Sequence, residues 1–591
     1  MKKILCLLLS IVLIGASAAA CAQKIDEKST DKGSIIPVYL GTEIYDFDPA
    51  TANTDVSATK ILGMIYEGLY KYDENGKLTE GIASGHKVTE DPEKGLYQLE
   101  IYLKNTAWSD GRSVQAADFV YAIKRALEPE FRGEAAALLM DIKNAKEVKA
   151  GDKSIDDLGV YDADTQVIQI QFETAIDYDQ FREVLASPLL YPVREDLTVK
   201  ATDWSSNTSI LACNGPFVVR TFDPGKSLVL ERNIYYYRNI KEDSLTKYVI
   251  PYRLAINFRM DAEAQLAAFE ENKLVFDSQL PLSKRADYDG KVKKNDTLTE
   301  CVYLFNTKKA PFDKPEVRRA LSLAIDRKAI ADKIVFANPA EGLITKGVYD
   351  VNSKSNKMFR DVGGALISPS ANIAEAKSLL SKAGVNGGDI TISIRDTEVD
   401  RATAELVSSA WGQLGFNVKV NTLGYQKYKE NEYDLVRDLY KNAYATGDFD
   451  VISADLTMFS TGAFANLATY SLEFAGGKMD LASGNFELVP GVTGFNNADY
   501  NTLIANAFNE KDAAKRSAIL HDAEKMLLDM SPVAPIFVYQ DAYMTGADLS
   551  GVKEAFYGYH YFAKANLKNY HIYQETTPLE TEALEASDKE K

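Results

Sequence analysis

The sequence predicts an α/β protein with more than one domain, on three observations. The chain has 591 residues, too many for one core, so two or three domains are expected. Strand-like and helix-like stretches alternate along it, which points to a parallel or mixed sheet rather than a β-sandwich. One stretch reads as a compact strand–helix–strand unit. Residues 390–394 are β-rich, 401–413 have helical periodicity, Gly415 supplies a stop, and 416–420 are β-rich again.

The two ends stand apart from this body. Met1-Lys2-Lys3 is a positive start, 4–14 is an apolar run, and 15–20 (GASAAA) are all small. That is the layout of an export signal, and the apolar run is too short to span a bilayer. Ala18-Ala19-Ala20-Cys21 resembles a lipobox with alanine in place of the usual leucine. Residues 1–20 are therefore expected to be a lipoprotein signal peptide, with Cys21 as the lipidation site that ties the protein to a membrane. Residues 21–33 are polar and charged and are expected to be a flexible tether. Residues 574–591 hold six acids, two lysines and no aromatic residue, and are expected to be a disordered acidic tail.

Within the body, 35–40 form a β-rich run, and 96–103 (LYQLEIYL) alternate as a half-buried strand does. A helix is predicted over 114–127. Phe119, Val120, Ile123, Ala126 and Leu127 share one face, Asp118 lies early, Lys124-Arg125 lie late, and Pro129 follows. A second helix is predicted over 373–383, ending at Gly384.

Catalytic chemistry is sought and not found. Four histidines (His86, His521, His560, His571) form neither HExxH nor a zinc pair with cysteine, and no CxxC or GxSxG occurs. Gly225-Lys226-Ser227 ends like a phosphate loop, but Arg220 stands where that motif needs glycine. No cofactor and no metal are expected. Asp110 and Asp448 read as turn residues. A net charge of −18 argues against nucleic acid as a partner. Cys213 and Cys301 have no framework spacing and are expected to be separate buried thiols, with a disulfide as the alternative. An exported chain without a catalytic constellation is expected to be a binder rather than an enzyme.

Several motifs occur in a fixed order. Phe47-Asp48-Pro49 and Ile65-Tyr66-Glu67-Gly68-Leu69 come first. Trp108-Ser109-Asp110-Gly111, Ala117-Asp118-Phe119-Val120-Tyr121 and Lys124-Arg125-Ala126-Leu127-Glu128-Pro129 follow. Then come Asn214-Gly215-Pro216-Phe217, Leu230-Glu231-Arg232-Asn233, Phe305-Asn306-Thr307, Val317-Arg318-Arg319-Ala320-Leu321-Ser322, Ala324-Ile325-Asp326-Arg327 and Pro532-Val533-Ala534-Pro535. The ordered set resembles the extracytoplasmic solute-binding proteins of peptide ABC transporters, the oligopeptide/dipeptide-binding family. Each motif also has a structural job. Ser109-Asp110-Gly111 is turn chemistry, Pro315 suits a helix start, and 532–535 suit a stiff connection.

The resemblance implies a two-lobed periplasmic-binding-protein-like fold with an extra inserted domain and hinge closure. Domain I would comprise 34–69, 194–300 and 541–573, domain II 70–193, and domain III 301–540. It further implies that a peptide lies extended between the lobes, paired through its backbone. Ser453 and Ala454 would offer backbone groups, and Asp455 would anchor the peptide ammonium. Asn53, Thr54 and Asp55 would form the opposite pairing segment. Leu456 departs from the family in standing where an aromatic is common, and 471–493 look longer than the family's loop. The implied partners are short peptides and ABC permease subunits, met by a monomer. Alternatives on the same fold are a metal chelate, haem or sugar as cargo, or a role in sensing or adhesion. A tethered hydrolase is a further alternative.

Overall fold

The computed structural model describes residues 32–576, apart from 42–43, 45, 52–55, 74–76, 132–134, 224–225, 353–356, 431–432, 459–461, 476, 481–484 and 556–557. The signal peptide, Cys21 and all but the end of the tether therefore lie outside the described residues. In chain order the strands that build the two main sheets are β1 (Ile35–Tyr39), β2 (Ala83–Asp91), β3 (Leu96–Leu103), β4 (Val160–Asp164), β5 (Val167–Phe172), β6 (Phe217–Asp223), β7 (Ser227–Arg232), β8 (Arg253–Asn257), β9 (Phe276–Asp277), β10 (Lys293–Phe305), β11 (Ala337–Pro339), β12 (Gly388–Arg395), β13 (Phe416–Leu423), β14 (Val451–Thr457) and β15 (Val533–Thr545).

Eleven of them form one mixed sheet, in the order β13-β12-β14-β10-β15-β9-β1-β8-β7-β6, with β11 paired to β15. Its length depends on β10 and β15, strands of 13 residues each. They pair antiparallel with each other, and β15 also pairs with β9 while β10 pairs with β14. Period-two alternation assigns their side chains to opposite faces. Leu298, Val302 and Leu304 enter one core, whereas Cys301, Tyr303 and Phe305 enter a second. Helices α1 (Val56–Ile65) and α2 (Ala116–Leu127) come first in the chain, and the second core lies under helices α3 (Pro315–Leu323), α4 (Arg327–Ile334), α5 (Ile373–Ala383) and α6 (Glu398–Gly412). Cys213 and Cys301 are buried, separate thiols.

Several local expectations match this architecture. β12, α6 and β13 form the strand–helix–strand unit with parallel pairing. α5 ends where Gly384 takes the left-handed conformation at φ 67°. The helix foreseen over 114–127 runs from Ala116 to Leu127 and buries the five residues assigned to its inner face. It covers the separate antiparallel sheet β2-β3-β5-β4. The helix Tyr570–Thr576 carries regular structure past the expected end of the body.

One expectation is corrected. Residues 532–535 are not a stiff connection, because Val533, Ala534 and Pro535 already belong to β15. Proline cannot donate to a ladder, and the register shifts there: Cys301 pairs with Phe537, yet Val302 pairs with Pro535. The irregularity absorbs the missing N–H.

The ordered motifs serve as ties between distant segments. Trp108 Nε1 donates to Asp118 Oδ2 at 2.9 Å. Arg125 grips both oxygens of Asp48. The Asn214 side chain accepts from the Glu67 N–H and donates to the Glu67 carbonyl. Arg318 donates to carbonyls of Phe312, Met530 and Ser531, and Arg327 to those of Ser322, Ile325 and Pro535. Guanidinium forks suit this work because one side chain satisfies several buried acceptors.

A buried ionic cluster stands beside the long strands. Asp541 on β15 meets Lys60 Nζ at 3.1 Å and His560 Nε2 at 2.8 Å. Lys60 reaches from the helix Val56–Ile65 and also donates to Ser278 Oγ. Burial alone would raise the Asp541 carboxyl, but Lys60 and His560 outweigh it and hold it at about 2. Its stabilising contribution is full above the ordinary 3.8 and lost as pH falls through the folded value. Asp541→Asn is expected to cost about 3 kcal/mol at pH 7 by stranding a buried cation. Denaturant unfolding should show that deficit narrowing between pH 4 and pH 2; a deficit constant across that range would exclude the ion cluster as its source.

Candidate ligand-binding site

A cavity of about 310 Å³ lies against the first core's face of the long sheet. Its wall combines Leu304 of β10 and Leu456 of β14 with Met458 just beyond. Lys441, Tyr444 and Ala445 come from helix α7 (Leu439–Thr446). Ala50 and Thr51 close one side, Leu138 and Leu189 another. Phe474 and Ala475, with 491–493, add the two ends of the long stretch 471–493, so that stretch shapes the cavity wall. The lining is mostly apolar and draws on segments from three separate parts of the chain.

β14 presents an open backbone edge beside this cavity. Met458 donates its N–H to the Leu298 carbonyl. By antiparallel alternation, Ile452, Ala454 and Leu456 turn their backbone groups toward β10, while Ser453, Asp455 and Thr457 turn theirs away. On that far side β12 pairs only at Ile392↔Val451 and Ser393↔Ile452. Among the described residues no strand continues the ladder beyond them. The Ser453 carbonyl accepts from the Tyr440 hydroxyl at 2.6 Å, leaving the edge at Asp455 and Thr457.

The Asp455 side chain points to the other face. Arg395 Nη1 lies 2.5 Å from Oδ2, and the Tyr539 hydroxyl donates to Oδ1 at 2.9 Å. Arg395 Nε also meets Asp400 Oδ2 at 3.1 Å. Burial pushes the Asp455 carboxyl up, and Arg395 offsets this only in part. Ionised, the cluster holds two carboxylates against one guanidinium. Ser453 and Ala454 are buried in the strand, and Asn53, Thr54 and Asp55 lie outside the described residues.

Two features here had no readable sequence signal. Lys441 Nζ bonds Asp46 Oδ2 and lies 3.4 Å from Thr51 Oγ1, a contact across 395 positions. Burial alone would raise Asp46, but Lys441 outweighs it and holds the carboxyl below its ordinary value. Glu300 of β10, opposite Leu456 in the ladder, is fully buried, and neither carboxyl oxygen has a hydrogen-bond partner among the described residues. Burial pushes it well above the carboxylate range.

Comparison with known proteins decides the family. Residues 78–476 match the model for bacterial extracellular solute-binding proteins, family 5. The chain belongs to that family. Among curated relatives, this solute-binding protein is 25% identical to the dipeptide-binding protein DppE of Bacillus subtilis over 570 residues, covering 93% of this chain and 96% of that one. It is 26% identical over 534 residues to the probable deoxycholate-binding periplasmic protein YgiS of Escherichia coli, covering 88% and 91%. The substrate-binding domain of an oligopeptide ABC transporter from Bacillus anthracis superposes with a TM-score of 0.75 at 21% identity, covering 91% of this chain and 99% of that one; at that identity it shows the fold alone. The relatives are binding proteins, and this chain is a solute-binding protein rather than an enzyme.

The buried Glu300 gives a test of this wall. Its folded form keeps its proton at a pH where the unfolded chain has lost it, so stability falls as pH rises above the ordinary carboxyl range. Glu300→Gln is expected to be about 1–2 kcal/mol more stable at pH 7.5 and no more stable than the parent near pH 4. Thermal unfolding at both pH values checks it; an equal gain at both would show that ionisation plays no part.

Proposed function

We propose that this protein is an extracytoplasmic receptor that binds short peptides and delivers them to an ABC transporter permease for import. The observation that carries the reading is the open edge of β14 beside the cavity. An extended peptide adding to that edge would gain main-chain hydrogen bonds while directing side chains into the cavity. The name of the relative DppE and the ordered motifs support the same cargo class. Ser453, Ala454 and Asp455 enter this reading as the pairing segment of one lobe, and Asn53, Thr54 and Asp55 as that of the other. Asp455 enters as the anchor of the ligand ammonium on motif order; its carboxyl, on the face away from the cavity, lies in a cluster of two carboxylates and one guanidinium.

In this reading the lobes are domain I (34–69, 194–300, 541–573) and domain III (301–540), with 70–193 inserted as domain II. β10 and β15 are the strands that flex between the lobes. The receptor acts as a monomer held to the cell membrane by acyl chains on Cys21. Tethering raises its effective concentration at the permease. Among the described residues no helix is long and apolar enough to cross a membrane.

A second reading, an apolar amphiphilic solute as cargo, is favoured by the largely apolar lining and by the relative YgiS.

Ligand that binds only the native state raises the melting temperature with its concentration, so short peptides should shift it. Asp455→Asn should weaken peptides with a free amino terminus at least tenfold more than acetylated ones; equal weakening would remove the anchor role. In a bacterial host, the parent is expected in the detergent phase of a Triton X-114 partition, with mass spectrometry showing a diacylglyceryl adduct on Cys21. Cys21→Ala should move to the aqueous phase, and a parent already found there would overturn the anchor.

A further inference from the structure

Most polar groups lining the cavity are already engaged within the protein. Among the described residues Lys441 is the single charged residue of the wall, and its ammonium is bonded to Asp46, so the pair is internally neutral. The Thr51 hydroxyl donates to Asp46. The Thr457 hydroxyl is tied to Thr299 across the ladder at 2.9 Å. The Thr469 hydroxyl donates to the Asn466 carbonyl, and the Asn466 amide to Gly462. The Thr493 hydroxyl accepts from the Phe495 N–H; Tyr444 and Tyr470 add phenolic groups, and the rest of the lining is mainly aliphatic and aromatic, with Leu456, Met458 and Phe474.

A charged side chain entering here would surrender its hydration to a wall with no free counter-ion. An apolar side chain would lose only water contacts. The size sets a second limit. A cavity of about 150 Å³ accepts one benzene-sized group, so 310 Å³ holds about two large apolar side chains.

We propose that the site selects peptides that place aliphatic or aromatic side chains in this cavity, and that Leu456 is a specificity-determining residue. The inference rests on the peptide reading and narrows it. Recognition divides into two parts. The β14 edge takes the peptide backbone without regard to sequence, and the largely apolar wall beside it sorts the side chains. Leu456 joins the two parts, because its neighbours Asp455 and Thr457 offer the edge while its own side chain faces the cavity. The leucine that stands here in place of the family's common aromatic widens the space for ligand atoms.

The test uses the full exported chain freed of retained ligand by partial unfolding and refolding. Isothermal titration compares Leu-Leu-Leu, Phe-Leu-Leu, Ser-Ser-Ser, Glu-Glu-Glu and Lys-Lys-Lys, with deoxycholate as a non-peptide probe. The apolar tripeptides are expected to bind at least tenfold more tightly than the charged ones. Leu456→Glu should erase that preference while leaving the ligand-free melting temperature within a few degrees of the parent. Lys441→Met, which leaves Asp46 without its cation, should improve Lys-Lys-Lys binding at least tenfold and serves as the reporter if Leu456→Glu fails to fold. Charged and apolar tripeptides bound with equal affinity, or Lys441→Met leaving Lys-Lys-Lys unchanged, would overturn this selectivity while leaving the peptide receptor standing. Binding of deoxycholate with no peptide bound at all would overturn both.

Discussion

The pairing of β10 with β15 is the constraint on which the remaining structure depends. These two strands belong to both halves of the long sheet, so their register fixes everything attached to either side. A slip of one residue would exchange the two faces. Leu304 would leave the cavity wall for the helical core, and Cys301, now opposite Asp455, would turn toward the cavity. The irregularity at Pro535 helps to prevent this, because a residue without an N–H fits only where the ladder is already interrupted. The ionic cluster around Asp541 stands on the same strand and adds a condition that only one register satisfies. Arg327, which reaches the Pro535 carbonyl from α4, ties the irregularity to the helical layer behind it.

Apart from arginines held by carbonyls, such as Arg318 and Arg327, buried charge is handled in two ways. Where charges meet between distant segments, as at Lys60–Asp541, Arg125–Asp48 and Arg360–Glu524, each cation has its carboxylate. Such pairs specify geometry more than they add stability, because desolvation consumes most of the attraction. Around β14 the accounting differs. Arg395 faces Asp400 and Asp455 together, and Glu300 has no cation within hydrogen-bonding distance among the described residues. These uncompensated carboxyls thus sit on β14, on its ladder partner β10 and behind them, and a protein retains such costs where a function uses them.

Much of the fold was legible because it follows from local pattern. The alternation in LYQLEIYL makes β3 whatever surrounds it, and Gly384 ends α5 because only glycine takes that conformation cheaply. The ordered motifs located the family, yet their side chains turn out to be ties between segments: Trp108 holds Asp118 and Arg125 holds Asp48. Pro535 was misread because a proline in a strand is tolerated only by a register shift, and register is a property of two strands together. The site was legible only as a segment. Motif order placed Asp455 beside the pairing edge, but its orientation depends on which residues of β14 face β10. The Lys441–Asp46 bond joins positions too distant for any local signal, and Glu300 looks like an ordinary acid until its strand is found buried on both sides.

The geometry of β14 also explains how one strand can separate affinity from selectivity. In an extended chain, backbone groups and side chains alternate in different directions. Backbone groups of odd-numbered residues here face the open edge, and side chains of even-numbered residues face the cavity. In the proposed peptide reading, a ligand strand held at Asp455 and Thr457 would meet a recognition surface that is blind to sequence, since every peptide carries the same N–H and C=O groups. Selection would then fall to the wall around Leu456, which can change without disturbing the edge. A substitution at Leu456 alters what fits, whereas one at Asp455 alters the Arg395 cluster behind the strand and leaves the cavity wall as it was. The fold can thus keep a fixed backbone-binding edge while its cargo changes through the residues on the opposite phase of the same strand.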